Sequence, residues 1–161
     1  MLVPNIKAIR PNSTPLRTGQ PMTVSLTLTS DLRQLEALLT WFNQYRPSTL
    51  PIEEWLKLEL ALAEGFTNAV RHAHRDRPPD TPIRIDLSLG ETEIELRIWD
   101  QGDPFDLLAK LQTLPAQIAL DAEGGRGLRL LATITDELDY QRVENGGNCL
   151  ILRKTLKSIP R

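Results

Sequence analysis

The chain has 161 residues, of which 40% are hydrophobic and 25% charged, and a formal net charge of −2 at pH 7, which is typical of a single globular domain. This charge balance, without a long basic run, argues against a nucleic-acid or anionic-membrane partner. The sequence shows neither a run of about 18 apolar residues nor the apolar core of a signal peptide, and its one cysteine, Cys149, excludes an internal disulfide, so we expect a cytoplasmic protein.

The first part of the chain predicts an arm, a strand and two helices. Residues 1–21 contain four prolines and predict a poorly ordered N-terminal arm before a folded domain over residues 22–157. Residues 22–30 alternate apolar and polar side chains, as a half-buried strand does. Residues 30–45 repeat apolar side chains at intervals of three and four. Residues 51–76 do so over a longer stretch that opens with a proline and two acids, so both segments predict helices.

The second part of the chain predicts two hairpins separated by short helices. Residues 83–89 and 92–99 both alternate and are joined at a Gly-Glu pair, which indicates an antiparallel hairpin. Residues 103–111 predict a short helix with Asp103 as its N-cap. Residues 112–124 predict a loop too long for a turn, which we interpret as a lid. A helix over "RGLRLLATIT" then leads to the strands "ELDYQRV" and "NCLILRKTL" around the turn "ENGG".

This element order predicts the fold class. Strands paired in hairpins, with helices between them, imply an α+β fold built as a two-layer sandwich. We expect a mixed sheet that is covered on one face by the helices.

Glu64 and Asn68 lie one helical turn apart in the stretch "EGFTNAVRHAH". With 100° between successive residues, both project away from the apolar stripe that contains Trp55, Leu62 and Phe66. A solvated polar face is the plain structural explanation. The chemical alternative is that the amide oxygen of Asn68 is a ligand for Mg²⁺ and that the Glu64 carboxylate accepts a proton from a hydroxyl.

Asp100 is the candidate for ligand recognition in the stretch "IWDQGDPFD". It ends a predicted strand, and Gly102 follows it with no side chain to obstruct a ligand. A carboxylate there can accept a hydrogen bond from a ligand amine, although an aspartate in a turn before glycine is the structural alternative.

The third stretch, "EGGRGLRLL", places three glycines before and inside the start of a helix. Their backbone N–H groups, together with the helix dipole, can form a site for an anion. The stretch matches neither the phosphate-binding loop of nucleoside triphosphatases nor the dinucleotide-binding fingerprint.

In this order along the chain, the three stretches resemble the motifs of the Bergerat-fold, or GHKL, ATPases, a superfamily that includes histidine kinase catalytic domains, gyrase and MutL. The pattern is most similar to the short anti-sigma factor serine/threonine kinases, which read much like E-x-x-x-N-A-x-x-H, D-x-G-x-x-F-D and G-x-G-L-x-L. The closing strand "NCLILRKTL" also fits this group. The resemblance covers about residues 22–156.

The resemblance implies roles for individual residues. By analogy with the group, Asn68 holds Mg²⁺ against the phosphates of ATP, and Glu64 is the candidate base for an incoming serine or threonine hydroxyl. Asp100 binds the adenine amino group, and Gly102 lines the base. The phosphates are approached by Gly125 and Gly127.

The sequence departs from the group at one position. Many relatives place an arginine just before the glycines of the third motif, where it meets the terminal phosphate. This chain has Glu123 there, and Arg126, between the glycines, is the candidate substitute.

The resemblance predicts an ATP-dependent protein-serine/threonine kinase that acts as an anti-sigma factor. Its expected substrate is an anti-sigma factor antagonist of the STAS type, a sigma factor is a further expected partner, and a homodimer is the expected assembly. Glu123 leaves open an alternative in a different class, a nucleotide-gated protein-binding module without kinase activity.

Overall fold

The computed structural model, which describes residues 19–113 and 126–157, contains one five-stranded sheet. The strands are β1 (Met22–Thr29), β2 (Pro82–Leu89), β3 (Glu93–Asp100), β4 (Glu137–Arg142) and β5 (Asn148–Thr155). They are arranged in the order β1-β2-β3-β5-β4. The helices are α1 (Leu35–Asn43), α2 (Ile52–Asn68), α3 (Leu107–Thr113) and α4 (Arg126–Ile134). None of the helices within the described ranges is long and apolar enough to cross a membrane.

The α+β class is confirmed, but the expectation of a mixed sheet was wrong in the direction of the strands. Every neighbouring pair in the described sheet is antiparallel. The reason lies between β1 and β2, where the chain passes through two helices, whereas a single helix would carry it across the sheet to a parallel strand. The second helix returns the chain to the end of the sheet that it left, so that Thr29 at the end of β1 pairs with Pro82 at the start of β2.

One face of the sheet packs against the helices, as predicted. The buried side chains of β1, β2 and β3 alternate, and those of α2 lie on the stripe that the helical period predicts. Trp55 is fully buried and stacks on Phe42 of α1, with 4.0 Å between ring centroids. The main buried residues of this interface are Val24, Leu26, Leu28, Leu58, Leu62, Phe66, Ile83, Ile85, Leu87, Ile94, Leu96, Ile98, Leu150 and Leu152.

The opposite face of the sheet carries polar side chains that bond to one another. Asp86 accepts hydrogen bonds from Ser25 at 2.7 Å and from the indole of Trp99 at 2.8 Å. Glu95 accepts from Arg97 and from Arg153, both at 2.6 Å. The Glu95–Arg97 pair lies within β3, and the others are cross-strand pairs, which stabilise a sheet face that no helix covers in the described structure.

Two helix boundaries differ from the sequence prediction. The helix predicted over 51–76 is α2 followed by a π-helical turn over Ala69–Ala73. The helix predicted from Asp103 begins at Leu107, because Asp106 is the residue whose carboxylate accepts from a first-turn amide, that of Ala109, at 2.9 Å. Of the predicted arm, residues 1–18 lie outside the described residues, as does most of the predicted lid.

Candidate functional site

The C-terminal half of α2 is held close to the sheet by Gly65. A Cβ atom at this position would lie 2.4 Å from the side chain of Ile98 and 3.2 Å from that of Leu150. Glycine therefore lets the helix backbone approach β3 and β5 more closely than any other residue permits. Glu64 and Asn68 lie beside Gly65 on the helix and outside the packed stripe, and both are half-buried.

The start of α4 meets Glu64 and Asn68 at Gly127. A Cβ atom on Gly127 would lie 2.5 Å from Oε2 of Glu64 and 3.7 Å from Nδ2 of Asn68. The structure therefore brings together the first and third sequence motifs, which are about 60 residues apart in the chain. Gly125 lies outside the described residues, and Arg126 is the first residue of α4, with its side chain outside the described part.

Asn68 presents an unsatisfied hydrogen-bond donor at this junction. Its Nδ2 atom is buried and has no hydrogen-bond partner among the described residues. Buried polar atoms are nearly always paired, and an exception calls for a specific reason. A ligand acceptor, such as a phosphate oxygen, would satisfy this donor.

Asp100 lies at the end of β3 and is only 6% exposed. Its Oδ1 atom accepts hydrogen bonds from the backbone N–H of Gly102 at 2.8 Å and from Nδ2 of Asn148 at 2.9 Å. Its Oδ2 atom accepts from the hydroxyl of Tyr140 at 2.5 Å. The carboxylate is therefore stabilised by three donors that belong to the protein itself.

Tyr140 remains a hydrogen-bond donor over the physiological pH range. Burial, together with the neighbouring Asp100 carboxylate, raises the pKa of Tyr140 well above its ordinary value of 10.0. Both effects act against the charged phenolate. The hydroxyl hydrogen is thus available to Asp100.

Gly102 packs against the π-helical turn. A Cβ atom on Gly102 would lie within 2.8 Å of both the Cβ atom and the carbonyl oxygen of Ala73. The Gly102 carbonyl accepts from Nη1 of Arg142 at 2.8 Å. The structure thus gives this glycine a packing role that the sequence analysis missed, while its predicted contact with a base stays a prediction.

His74 joins the π-helical turn to the same loop. Its side chain is buried, and its Nε2 atom accepts from the backbone N–H of Gln101 at 2.8 Å. Burial lowers the pKa of His74 below its ordinary value of 6.5. A neutral imidazole therefore positions the residue that follows Asp100.

A cavity of about 490 Å³ lies beside Asp100, between the loop that precedes α3 and the strand β4. Tyr140 and Asn148, which both bond to Asp100, form part of its wall. Phe105 is 47% exposed and meets the Tyr140 ring edge-on, with 6.0 Å between centroids. The other lining residues are Pro104, Asp106, Leu107, Asp139 and Arg142.

Comparison with known protein families shows which family has this arrangement of motifs and strands. The sequence profile of the histidine kinase-like ATPase domain matches residues 28–154, which include the three motifs and all five strands in whole or in part. The chain belongs to the histidine kinase-like ATPase domain family. Membership of this ATPase family implies the use of ATP.

Individual relatives of this chain carry the name serine-protein kinase RsbW. That of Listeria innocua is 35% identical over 86 residues, which are 50% of this chain and 54% of the relative. That of Bacillus velezensis is 35% identical over 104 residues, 62% of this chain and 63% of the relative. That of Bacillus pumilus is 32% identical over 110 residues, 65% and 67% respectively. The chain thus spans about half the length of the Listeria relative and about two thirds of the Bacillus relatives.

The predicted residues of the histidine kinase-like site fall into two groups in space. Glu64, Asn68 and Gly127 meet at the junction of α2 and α4, whereas Asp100 and Gly102 lie at the end of β3. The π-helical turn links the groups, since it continues α2 and contacts Gly102.

Sequence reasoning missed Tyr140 and Asn148. They reach Asp100 because β3 pairs with β5 in a register that places Asp100 opposite Asn148, and because β4 pairs with β5. The predicted hairpin around "ENGG" was a signal that these strands pair. It did not reveal which strand their partner would be.

Proposed function

We propose that this chain is an ATP-dependent protein-serine/threonine kinase that phosphorylates a STAS-type anti-sigma factor antagonist. The observation that supports this most is the contact between Gly127 and the Glu64–Asn68 pair, which places a glycine-rich helix start beside a carboxylate and an unsatisfied amide. The relatives named serine-protein kinase RsbW support the same activity.

The junction of α2 and α4 suits the triphosphate of ATP. Without a side chain at Gly127, the backbone at the start of α4 can approach a ligand, and the helix dipole there favours negative charge. The buried Nδ2 atom of Asn68 can donate to a phosphate oxygen. We propose that Gly125 and Arg126 contribute to the same phosphate contacts.

Mg²⁺ fits this junction through Asn68. An amide oxygen is a hard ligand, and Mg²⁺ is commonly held by few protein groups together with substrate phosphates. Within residues 19–113 and 126–157, no group of three or more His, Cys, Asp or Glu side chains could hold a metal ion. When bound, ATP supplies the phosphoryl group and Mg²⁺ neutralises charge on its phosphates.

Glu64 is the proposed general base. Its carboxylate lies on the same helical face as Asn68 and in contact with the start of α4, so that a serine or threonine hydroxyl approaching from solvent can donate its proton to it. Asp100 recognises the adenine base of ATP through its carboxylate, and Gly102 lines the adenine. The contribution of the protein is positioning rather than covalent catalysis.

The resemblance to anti-sigma factor kinases supports the remaining proposals. These are a sigma factor as a second partner, a homodimer as the assembly and a cytoplasmic location. The alternative of a nucleotide-gated binding module rests on Glu123, which lies outside the described residues.

A phosphoryl-transfer assay distinguishes the two functions. The unmodified protein is incubated with Mg²⁺, ATP labelled in its terminal phosphate, and STAS-type proteins from the same organism. We expect label on the antagonist. We expect Glu64→Gln to keep ATP binding and to lower the transfer rate by about 10²–10⁴, since general-base catalysis is lost.

Glu53→Gln is the matched control, because Glu53 is exposed in the first turn of the same helix and the change in charge is identical. It should transfer phosphate at the unmodified rate. An unmodified protein that labels no candidate antagonist, while ATP still changes its affinity for one, would establish the binding-module alternative instead.

A further inference from the structure

The Asp100 carboxylate, which the proposed function assigns to the nucleotide base, already accepts a hydrogen bond from the Tyr140 hydroxyl. Oδ2 of Asp100 accepts the hydroxyl hydrogen of Tyr140 at 2.5 Å, and Asp100 is only 6% exposed. A base amino group that binds Asp100 therefore meets Tyr140 at the same carboxylate.

We propose that Tyr140 is a specificity-determining residue, whose hydroxyl competes with the amino group of the nucleotide base for Oδ2 of Asp100. Binding of a base that carries this amino group turns the hydroxyl away, and a base without the group leaves the Tyr140–Asp100 bond in place. This inference rests on the proposed function, because it takes Asp100 as the base acceptor.

The other two donors to Asp100 are fixed in place. One is the backbone N–H of Gly102, and the other belongs to Asn148, which is 1% exposed. The Asn148 amide also donates to the carbonyls of Gly102 and Asp103, at 3.3 and 3.1 Å. Neither donor can leave Oδ1 without breaking several bonds at the ends of β3 and β5.

Tyr140, in contrast, has room to move. It lies on β4, an outer strand of the described sheet, and its side chain borders the cavity of about 490 Å³. Its ring contact on the cavity side is with Phe105, itself 47% exposed. Rotation of the hydroxyl from Asp100 toward this cavity requires no change in the backbone pairing.

The competition has a measurable consequence for affinity. Each amino-bearing base replaces the Tyr140–Asp100 bond, so its own bond to Asp100 is offset by the one it removes. Removing the hydroxyl leaves Oδ2 of Asp100 without that donor in the free protein, and the amino group then gains the whole bond. We expect Tyr140→Phe to bind ATP about tenfold more tightly, the effect of one hydrogen bond to a charged group.

The test compares two nucleotides that differ in the amino group alone. Dissociation constants are measured calorimetrically for ATP and for purine riboside triphosphate, which carries hydrogen where adenine carries its amino group. The unmodified protein, Tyr140→Phe and Tyr45→Phe are compared, with a melting curve for each. Tyr45 is the other of the two tyrosines and lies just beyond α1. Its variant therefore also removes a tyrosine hydroxyl, but far from Asp100 in the chain, and serves as the matched control.

The expected result is tighter ATP binding in Tyr140→Phe alone, with purine riboside triphosphate changed by less than about twofold. Weaker ATP binding, or an equal change for both nucleotides, would overturn the competition. If the unmodified protein binds neither nucleotide, the proposed function fails and this inference with it.

A second measurement uses the unmodified fold and so does not depend on the stability of the variant. Fluorotyrosine incorporated into the chain gives two ¹⁹F signals, and Tyr45→Phe identifies that of Tyr140. ATP should move the Tyr140 signal toward that of a tyrosine without a carboxylate partner, and purine riboside triphosphate should not. A Tyr140 signal that ATP leaves unchanged would refute the displacement.

Discussion

The two halves of the proposed nucleotide site differ in how completely their polar groups are bonded. In the half that we call the base end (Asp100, Tyr140 and Asn148), the buried carboxylate accepts three hydrogen bonds from the protein. In the half that we call the phosphate end (Glu64, Asn68 and Gly127), a buried amide nitrogen has no partner within the described ranges. The base end is built from the strands β3, β4 and β5, and the phosphate end is built from the helices α2 and α4.

This difference separates stability from ligand binding. Groups at the base end hold the ends of β3 and β5 together, so altering them affects the free energy of unfolding even without nucleotide. At the phosphate end, the amide nitrogen of Asn68 has no hydrogen-bond partner among the described residues, so we expect this group to contribute to ligand binding rather than to folding. Matched substitutions at the two ends should therefore have different signatures.

The largest contrast is expected between two asparagines changed in the same way. Asn68→Ala should reduce Mg²⁺-dependent ATP affinity by more than about 100-fold, the loss of two good polar contacts, while the free energy of unfolding changes by less than about 0.5 kcal/mol. Asn148→Ala should lower the free energy of unfolding by about 2–4 kcal/mol, because Asp100 Oδ1 and two carbonyls lose a buried donor.

Denaturant unfolding without ligand, followed by calorimetric titration with ATP and Mg²⁺, measures both quantities for each variant. A large loss of stability in Asn68→Ala would contradict the comparison and support a structural role for this residue.

Asp100→Asn tests the base end more gently. The Tyr140 hydroxyl can turn to accept from the new amide, so we expect a stability loss of about 1 kcal/mol. The base amino group would meet a donor in place of an acceptor, and ATP affinity should fall by about 10–100-fold. Titration with ATP and GTP measures the effect. Equal affinity of the unmodified protein for ATP and GTP would be inconsistent with base recognition by Asp100.

Gly127→Ala should affect activity without a cost in stability. The added methyl group would require Oε2 of Glu64 to move, and a displaced base of this kind should slow phosphoryl transfer by on the order of tenfold. Gly127 is the second residue of α4, where alanine is at least as favourable for the helix as glycine, so the melting temperature should stay the same or rise. Parallel melting curves and transfer assays check this, and a matching fall in both would point to disrupted packing instead.

The smallest expected effect is a pH dependence of folding stability that comes from His74, which bonds to the loop after Asp100. The pKa of His74 is lowered in the folded protein, so the unfolded chain binds more protons as the pH falls below about 6.5. His74 therefore contributes stability above this pH, and the contribution is lost as the pH decreases toward the folded pKa. Melting curves between about pH 5 and 8, roughly the range in which imidazole titrates, measure this loss. His74→Gln should make the melting temperature less dependent on pH in this range.

The sequence was sufficient for the features that arise from local pattern. The alternation in β2 and β3, the stripe on α2 and the turn glycines all depend on neighbouring residues, and their positions were predicted to within a few residues. The pairing of Glu64 with Asn68 follows from the helical period alone. Asp100 could be proposed as a candidate because it ends an alternating strand shortly before a glycine, and its role stays a prediction.

The rest depended on contacts between distant parts of the chain. Tyr140 looked like an ordinary strand residue, and its bond to Asp100 arises from the order of three strands. Gly102 was read as space for a ligand, whereas the structure shows contact with Ala73 of the π-helical turn. The two hairpins had a sequence signature, but the direction of β1 relative to β2, that of β3 relative to β5, and the π-helical turn had none, since they result from how the elements pack.

The strand ends that lie far from Asp100 have a practical use. Met22 at the start of β1 pairs with Leu89, and Thr155 at the end of β5 pairs with Glu93, so both residues lie at this end of the strands. Asp100 and Asn148 pair at the other end, one strand length away, which is roughly 25 Å for a strand of this size. An affinity tag, a fluorophore or a surface tether attached before β1 or after β5 should therefore leave the nucleotide site accessible, which suits immobilised binding assays.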